Sequence, residues 1–154
     1  MNWRSRGAAV GEANPQSFDD FVETYDLWDE ITGGYVMDWL DGVLTARSGG
    51  SAIDLGCGTG RVAAKLAEHY QRVRAIDLSQ PMIELAQRKR PHPRVSFEQG
   101  DMEMVTGQYD LVVSIMTLHH VQDLPSTLKR ISELVAPGGL AILVDGVGRS
   151  VPSW

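Results

Sequence analysis

Two periodicities of apolar residues take turns along this chain. From Phe18 to about Trp28 the apolar positions Phe18, Phe21, Val22, Tyr25 and Trp28 fall three and four apart. Tyr35 to about Ala46 repeats that spacing with Val36, Trp39, Leu40, Val43 and Leu44. Each pattern predicts a helix with one buried stripe. Gly33-Gly34 separates the two, and Arg47-Ser48-Gly49-Gly50 closes the second, with glycine just past a helix end. Met1 to Ser17 is polar, carries Gly7, Gly11 and Pro15, and reads as a loose arm.

From residue 51 short apolar runs alternate with helical stripes. Strands are expected at Ser51–Leu55, Arg72–Asp77, Arg94–Gln99, Gln108–Ile115 and Leu140–Val144. Between them, Arg61–Tyr70 reads as a helix with Val62, Ala63, Leu66, Ala67 and Tyr70 inward. Ser79 caps a second helix, with Pro81 in its first turn, Met82, Ile83 and Ala86 behind it, and Pro91 and Pro93 ending it. Asp123 caps a third that runs to Val135 with Leu124, Leu128, Ile131 and Leu134, closed by Pro137-Gly138-Gly139. Strand and helix in alternation predict an α/β fold, a doubly wound parallel sheet covered on both faces. Crossovers are right-handed, so the strand order reverses beside the first strand, and ligands bind there, outside the carboxyl ends of the strands. Gly56–Gly60, Asp77, Asp101 and Met116–His120 all fall at such ends.

Composition narrows the partners. The chain has 154 residues, 43% of them hydrophobic and 22% charged, which suits one domain with a real core. A formal net charge of −6 argues against nucleic acid and anionic membranes, both of which need a basic footprint. The single cysteine, Cys57, allows no internal disulfide and fits a reducing compartment. No run approaches the ~20 apolar residues of a membrane span. Arg4 and Arg6 are not followed by the apolar core of a signal peptide. A cytoplasmic protein is expected. No metal site is expected either: His119 and His120 are adjacent, but His69, His92 and Cys57 lie on other segments.

The chemistry concentrates in Ala52-Ile53-Asp54-Leu55-Gly56-Cys57-Gly58-Thr59-Gly60: an apolar strand, an acid, three glycines two apart, then a helix. Glycines let the backbone approach a ligand, and the next helix presents free N–H groups to it. A dinucleotide fingerprint needs G-x-G-x-x-G, and here only Thr59 separates Gly58 from Gly60. Asp54 would also offer nothing to a pyrophosphate, whereas it suits an ammonium. The frame Asp54-x-Gly56-x-Gly58-x-Gly60 resembles the first motif of class I S-adenosylmethionine-dependent methyltransferases. The resemblance runs from about residue 50 to residue 145. It includes Ala75-Ile76-Asp77-Leu78-Ser79, Gly100-Asp101-Met102, Tyr109-Asp110-Leu111-Val112, Leu118-His119-His120-Val121 and Leu134-Val135-Ala136-Pro137-Gly138-Gly139. By its look it is similar to the branch that methylates small molecules.

The resemblance implies a Rossmann-like sheet of five mainly parallel strands in the order 3-2-1-4-5, and S-adenosylmethionine as cofactor with S-adenosylhomocysteine as product. It divides the chain into an arm at 1–17, a helical lid at 18–48 and a cofactor-binding core at 49–154. Asp54 would contact the methionine end, and Gly56, Gly58 and Gly60 would pass backbone beneath the cofactor. Asp77, at the end of the second strand, can accept both ribose hydroxyls. Leu78 and Met82 would flank the adenine, Asp101 would accept its amino hydrogen, and the Met102 N–H would face a ring nitrogen. Ile115 and Met116 would offer carbonyls and apolar surface to the methionine end. Tyr25 and Trp28 would sit on the lid. His119, ahead of His120, is the expected base for an acceptor that must lose a proton. Taken singly, these residues have plainer roles. The aspartates suit turns and helix caps, Met82, Tyr25 and Trp28 suit core, the histidines suit loop packing, and Cys57 suits a small buried slot.

Methyl transfer from a sulfonium is an in-line displacement. Its protein needs mainly to align the acceptor and exclude water. The expected activity is therefore transfer to a small-molecule acceptor. The family usually continues after the fifth strand with a helix and two more strands, while here Val144 is followed by Asp145–Trp154. An apolar edge at the fifth strand leaves three explanations: a shortened chain, a partner chain (a second copy included) over the edge, or the last ten residues with Trp154 folded back over it. A second class of function stays open on that ground, a non-catalytic or obligately paired subunit that binds S-adenosylmethionine.

Overall fold

A computed structural model describes residues 34–146. The arm, the stripe from Phe18 to Trp28 with Tyr25, and the end of the chain with Trp154 lie outside the described residues.

Helix α1, Gly34–Leu44, leads into strand β1, Gly49–Leu55, at the centre of a five-stranded sheet. Helix α2, Arg61–His69, crosses to β2, Tyr70–Asp77, and α3, Gln80–Lys89, crosses to β3, Val95–Gln99, at one edge. A short 3-10 turn, Met102–Met104, precedes β4, Tyr109–Ile115, which lies on the other side of β1. A second 3-10 turn, Leu118–His120, and α4, Leu124–Leu134, bring the chain to β5, Val135–Val144. The sheet order is β3-β2-β1-β4-β5 and every pairing is parallel, as the alternation and the resemblance predicted.

Alternation along the strands divides the core between the two faces. Ala52, Leu111, Val113, Val73, Ala75 and Ile142 join Leu40 and Leu44 of α1 and Ala63, Leu66 and Ala67 of α2 in one cluster. Ile53, Leu55, Ile76 and Val112 meet Ile131 and Leu134 of α4 in the other. Central strands buried on both sides explain why β1 and β4 read as continuous apolar runs. Two capping residues behave as expected: Ser79 accepts the Met82 N–H at 3.3 Å, and Asp123 accepts the Ser126 N–H at 3.1 Å.

Three expectations shift. Trp39 is 51% exposed, because the α1 stripe narrows to Leu40 and Leu44 where α2 covers it. Leu124 and Leu128 face outward, and α4 buries Thr127, Ile131 and Leu134 instead. That polar Thr127 is satisfied internally, since its hydroxyl bonds the Glu103 carboxylate and the Asp123 carbonyl. The fifth strand starts at Val135 and not at Leu140. Tyr109 pairs with Val135 and Leu111 with Leu140, so Pro137-Gly138-Gly139 forms a bulge within β5. Opposite it, Asp110 accepts the Gly50 and Ser51 N–H groups, both at 2.8 Å, and ties the start of β1 to β4.

Candidate functional site

The carboxyl ends of β1, β2, β3 and β4 enclose a cavity of about 410 Å³. Its floor is the glycine turn after β1. Gly56 and Cys57 both donate to the Ile76 carbonyl, at 2.8 and 2.9 Å, which bends the chain off the end of the sheet. Gly56 has φ +75°, and a Cβ there would overlap the Thr117 side chain, whose hydroxyl donates to the Gly56 carbonyl at 3.3 Å. Only glycine satisfies both the left-handed backbone and that close approach. Gly60, with φ +82°, faces away from the cavity; a Cβ there would lie 2.6 Å from the Phe97 ring. Its glycine serves the packing of α2 against β3, and Arg90 fastens the same stretch by donating to the Thr59 carbonyl at 2.7 Å.

Asp77 ends β2 on the cavity wall. One carboxylate oxygen accepts the Gly58 N–H at 2.7 Å and the other the Ser79 N–H at 2.9 Å. Burial pushes its carboxyl up, while those amides and the nearby His120 pull it down. The remaining lone pairs of this carboxylate can take further donors. Asp54 stands behind the floor, fully buried. The Ala63 amide donates to it, but its Oδ2 has no hydrogen-bond partner among the described residues. Burial, and then the charge of Asp77, push its carboxyl up to about 7. Burial and the charges of Asp54 and Asp77 likewise keep the Cys57 thiol protonated, so Cys57 is no nucleophile.

Asp101 is exposed at the mouth and caps its 3-10 turn by accepting the Glu103 N–H at 2.9 Å. Opposite it, Met116 has φ +55°, a left-handed backbone that costs a non-glycine residue about 1 kcal/mol. Its N–H donates to the Val144 carbonyl at 2.7 Å, which holds the end of β4 against β5. Beyond it, the His119 and His120 rings are in contact, with centroids 3.9 Å apart and planes tilted by 48°.

Of the residues expected from the sequence, Gly56, Gly58, Asp77, Leu78, Met82, Asp101, Met102, Ile115 and Met116 line this one cavity. Asp54 and Gly60 support its floor from behind. Tyr25 lies outside the described residues. His119, the expected base, does not line the cavity, and His120 holds the wall position. Successive side chains of a 3-10 turn point about 120° apart, so one of two neighbours faces away. The His119 ring turns instead to Asp145, with Nδ1 2.7 Å from Oδ1. Thr117, Gln122 and Asp123 also line the cavity; the sequence places Thr117 within a strand-end segment and Asp123 at a helix cap, and assigns none of the three a part in the site. Elsewhere, Asp41, Glu68 and His69 bring ligand atoms within 4.8 Å of one another. The Lys65 ammonium, 3.1 Å from both carboxylates, already balances that cluster.

A family model described as a methyltransferase domain matches residues 53–143, which is more than half of the chain. An uncharacterized methyltransferase of Mycobacterium tuberculosis is 34% identical over 102 residues, covering 64% of this chain and 52% of that protein. The malonyl-[acyl-carrier protein] O-methyltransferase of Priestia megaterium is 30% identical over 128 residues, covering 79% and 47%. Among solved structures, a DhpI complex with SAM and HEP superimposes with a TM-score of 0.70 at 26% identity, covering 88% of this chain and 65% of that one. The chain thus spans about half the length of the curated relatives it matches. With a matched core that contains the glycine turn and the ends of β2, β3 and β4, the chain belongs to the class I S-adenosylmethionine-dependent methyltransferases.

Proposed function

We propose that this chain binds S-adenosylmethionine in the cavity and transfers its methyl group to a small-molecule acceptor. The observation that carries this is the pair of carboxylates after β2 and β3, Asp77 and Asp101, on the wall of one glycine-floored cavity, with Asp54 buried behind its floor. The donor set fits the cofactor. Asp54 has a buried oxygen without a partner among the described residues, suited to an ammonium. Asp77 is pinned by two amides and keeps lone pairs for the ribose hydroxyls. Leu78 and Met82 would flank the adenine, with Asp101 and the Met102 amide at its edge. Ile115 and Met116 would meet the methionine end.

When bound, S-adenosylmethionine supplies a methyl group already activated by its sulfonium. The protein's share is to hold the acceptor in line and keep water away. Where the acceptor must lose a proton, His120 takes the role first assigned to His119, because it lines the cavity. A relative from Deinococcus radiodurans named trans-aconitate 2-methyltransferase, 33% identical over 102 residues, supports the small-molecule assignment. The lid expected over 18–48 draws no support from α1, which packs on α2 and does not line the cavity. Among the described residues no helix is long and apolar enough to cross a membrane. The lone Cys57 supports a cytoplasmic setting.

Calorimetry with S-adenosylmethionine and S-adenosylhomocysteine tests the binding half, with saturable heat expected for both. Absence of heat at millimolar ligand would refute it. A second assignment, a paired subunit without turnover of its own, is favoured by one observation. The outer edge of β5 pairs with no strand among the described residues, and Leu143 beside it is exposed. Turnover by a monomer in light scattering would eliminate it.

A further inference from the structure

We propose that Asp145 and His119 form a positioning pair that sets His120 on the cavity wall, where it accepts the acceptor's proton. This rests on the methyltransferase assignment of the cavity. Asp145 lies just past β5 and reaches back across 26 residues to the turn after β4. Its carboxylate grips His119 at two points, accepting the backbone N–H at 2.9 Å and meeting ring Nδ1 at 2.7 Å. It also accepts the Gly146 N–H at 2.7 Å. Burial pushes the Asp145 carboxyl up, but the His119 ring and the amides of His119 and Gly146 outweigh it and hold the group below the ordinary carboxylate value. An ionised carboxylate only accepts, so Nδ1 of His119 must carry the hydrogen. The tautomer and the ring plane are both fixed by one residue.

That fixed ring is the surface against which His120 rests, 3.9 Å away and tilted by 48°. Among the described residues, charged and titratable groups that act on His120 include His119 on its own turn, Asp145 past β5 and Asp77 at the end of β2. Burial pushes the His120 imidazole below the ordinary histidine value, and His119 adds to this, against the pull of Asp145 and Asp77. His120 is then uncharged near neutral pH, as a proton acceptor must be. In the step, an O–H or N–H bond of the acceptor breaks, an N–H bond forms on the His120 ring, and the electron pair stays on the acceptor. The proton later passes to water.

Nitrogen-proton NMR of the imidazoles across pH, on the full chain, tests the pair. In the unaltered protein a downfield Nδ1 proton on His119 is expected. Asp145→Asn should remove it. His119→Gln should raise the titration midpoint of His120, with His119→Asn standing in if that variant does not fold. Calorimetry should keep S-adenosylhomocysteine affinity within about twofold in each, as expected for residues away from the cofactor end. A downfield proton that survives Asp145→Asn, or a His120 midpoint unmoved by the His119 variants, overturns the proposal. Loss of S-adenosylhomocysteine binding in the unaltered chain overturns the cavity assignment instead, and the titrations still decide the pairing.

Discussion

The two ends of the cavity are built on different plans. At the floor, backbone amides do most of the work. The Gly58 and Ser79 N–H groups hold Asp77, the Ala63 N–H holds Asp54, and the Ile76 carbonyl anchors Gly56 and Cys57. Each contact joins a strand end to the turn or helix that follows it or to the neighbouring strand. At the rim, by contrast, side chains from separate segments support one another: Asp145 holds His119, and His119 backs His120. Met116 sits between these regions in a strained backbone. A floor of amides is rigid and tolerates little change, because its geometry is that of the sheet. A rim of side chains can change its acceptor without disturbing the floor.

This division can be broken by substitution. The largest effect is expected from Asp77→Ala, which should weaken S-adenosylhomocysteine binding about a hundredfold, near 3 kcal/mol, by removing a carboxylate that accepts several hydrogen bonds. Asp145→Asn should leave that affinity nearly unchanged. Equal losses by calorimetry would erase the distinction between floor and rim. Gly60→Ala comes next. It combines a left-handed backbone with a Cβ 2.6 Å from Phe97, and should cost about 2 kcal/mol of stability in urea denaturation. A cost below about 0.5 kcal/mol would mean that the floor yields.

The smallest effect reverses with pH. Folded Asp54 holds its proton up to about 7, whereas an ordinary aspartate releases it near 3.8. Between those values the folded state binds the extra proton, so this group makes stability fall as pH rises. Asp54→Asn stays neutral and should be more stable than the unaltered protein at pH 8, with a flatter pH profile, while binding cofactor less well. Thermal melts from pH 5 to 8 check this, and identical profiles would show that Asp54 ionises freely in the fold.

The floor was legible in the sequence for the same reason that it is rigid. Asp54, the three glycines and Asp77 are placed by strand ends and turns, which leave local marks. The sheet order followed from the same alternation together with the resemblance. Periodicity overstated the helix stripes, because it counts apolar residues without knowing what covers them. Trp39, Leu124 and Leu128 fit their stripes and still face outward, while Thr127 is buried through a bond to Glu103 that no spacing announces. The rim was hidden for a deeper reason. That Thr117 presses on Gly56, 61 residues away, or that Asp145 claims one of two adjacent histidines, depends on contacts made only after the sheet has formed.

Cys57 gives the glycine turn a clock of its own. It is the only cysteine in the chain, it lies inside the turn, and it is 8% exposed with its thiol held protonated. A thiol in that state reacts only when the turn lifts off the Ile76 carbonyl and admits solvent. Its rate of modification therefore counts the openings of the cavity floor, with no label added and no residue changed. A ligand resting on that floor slows the count.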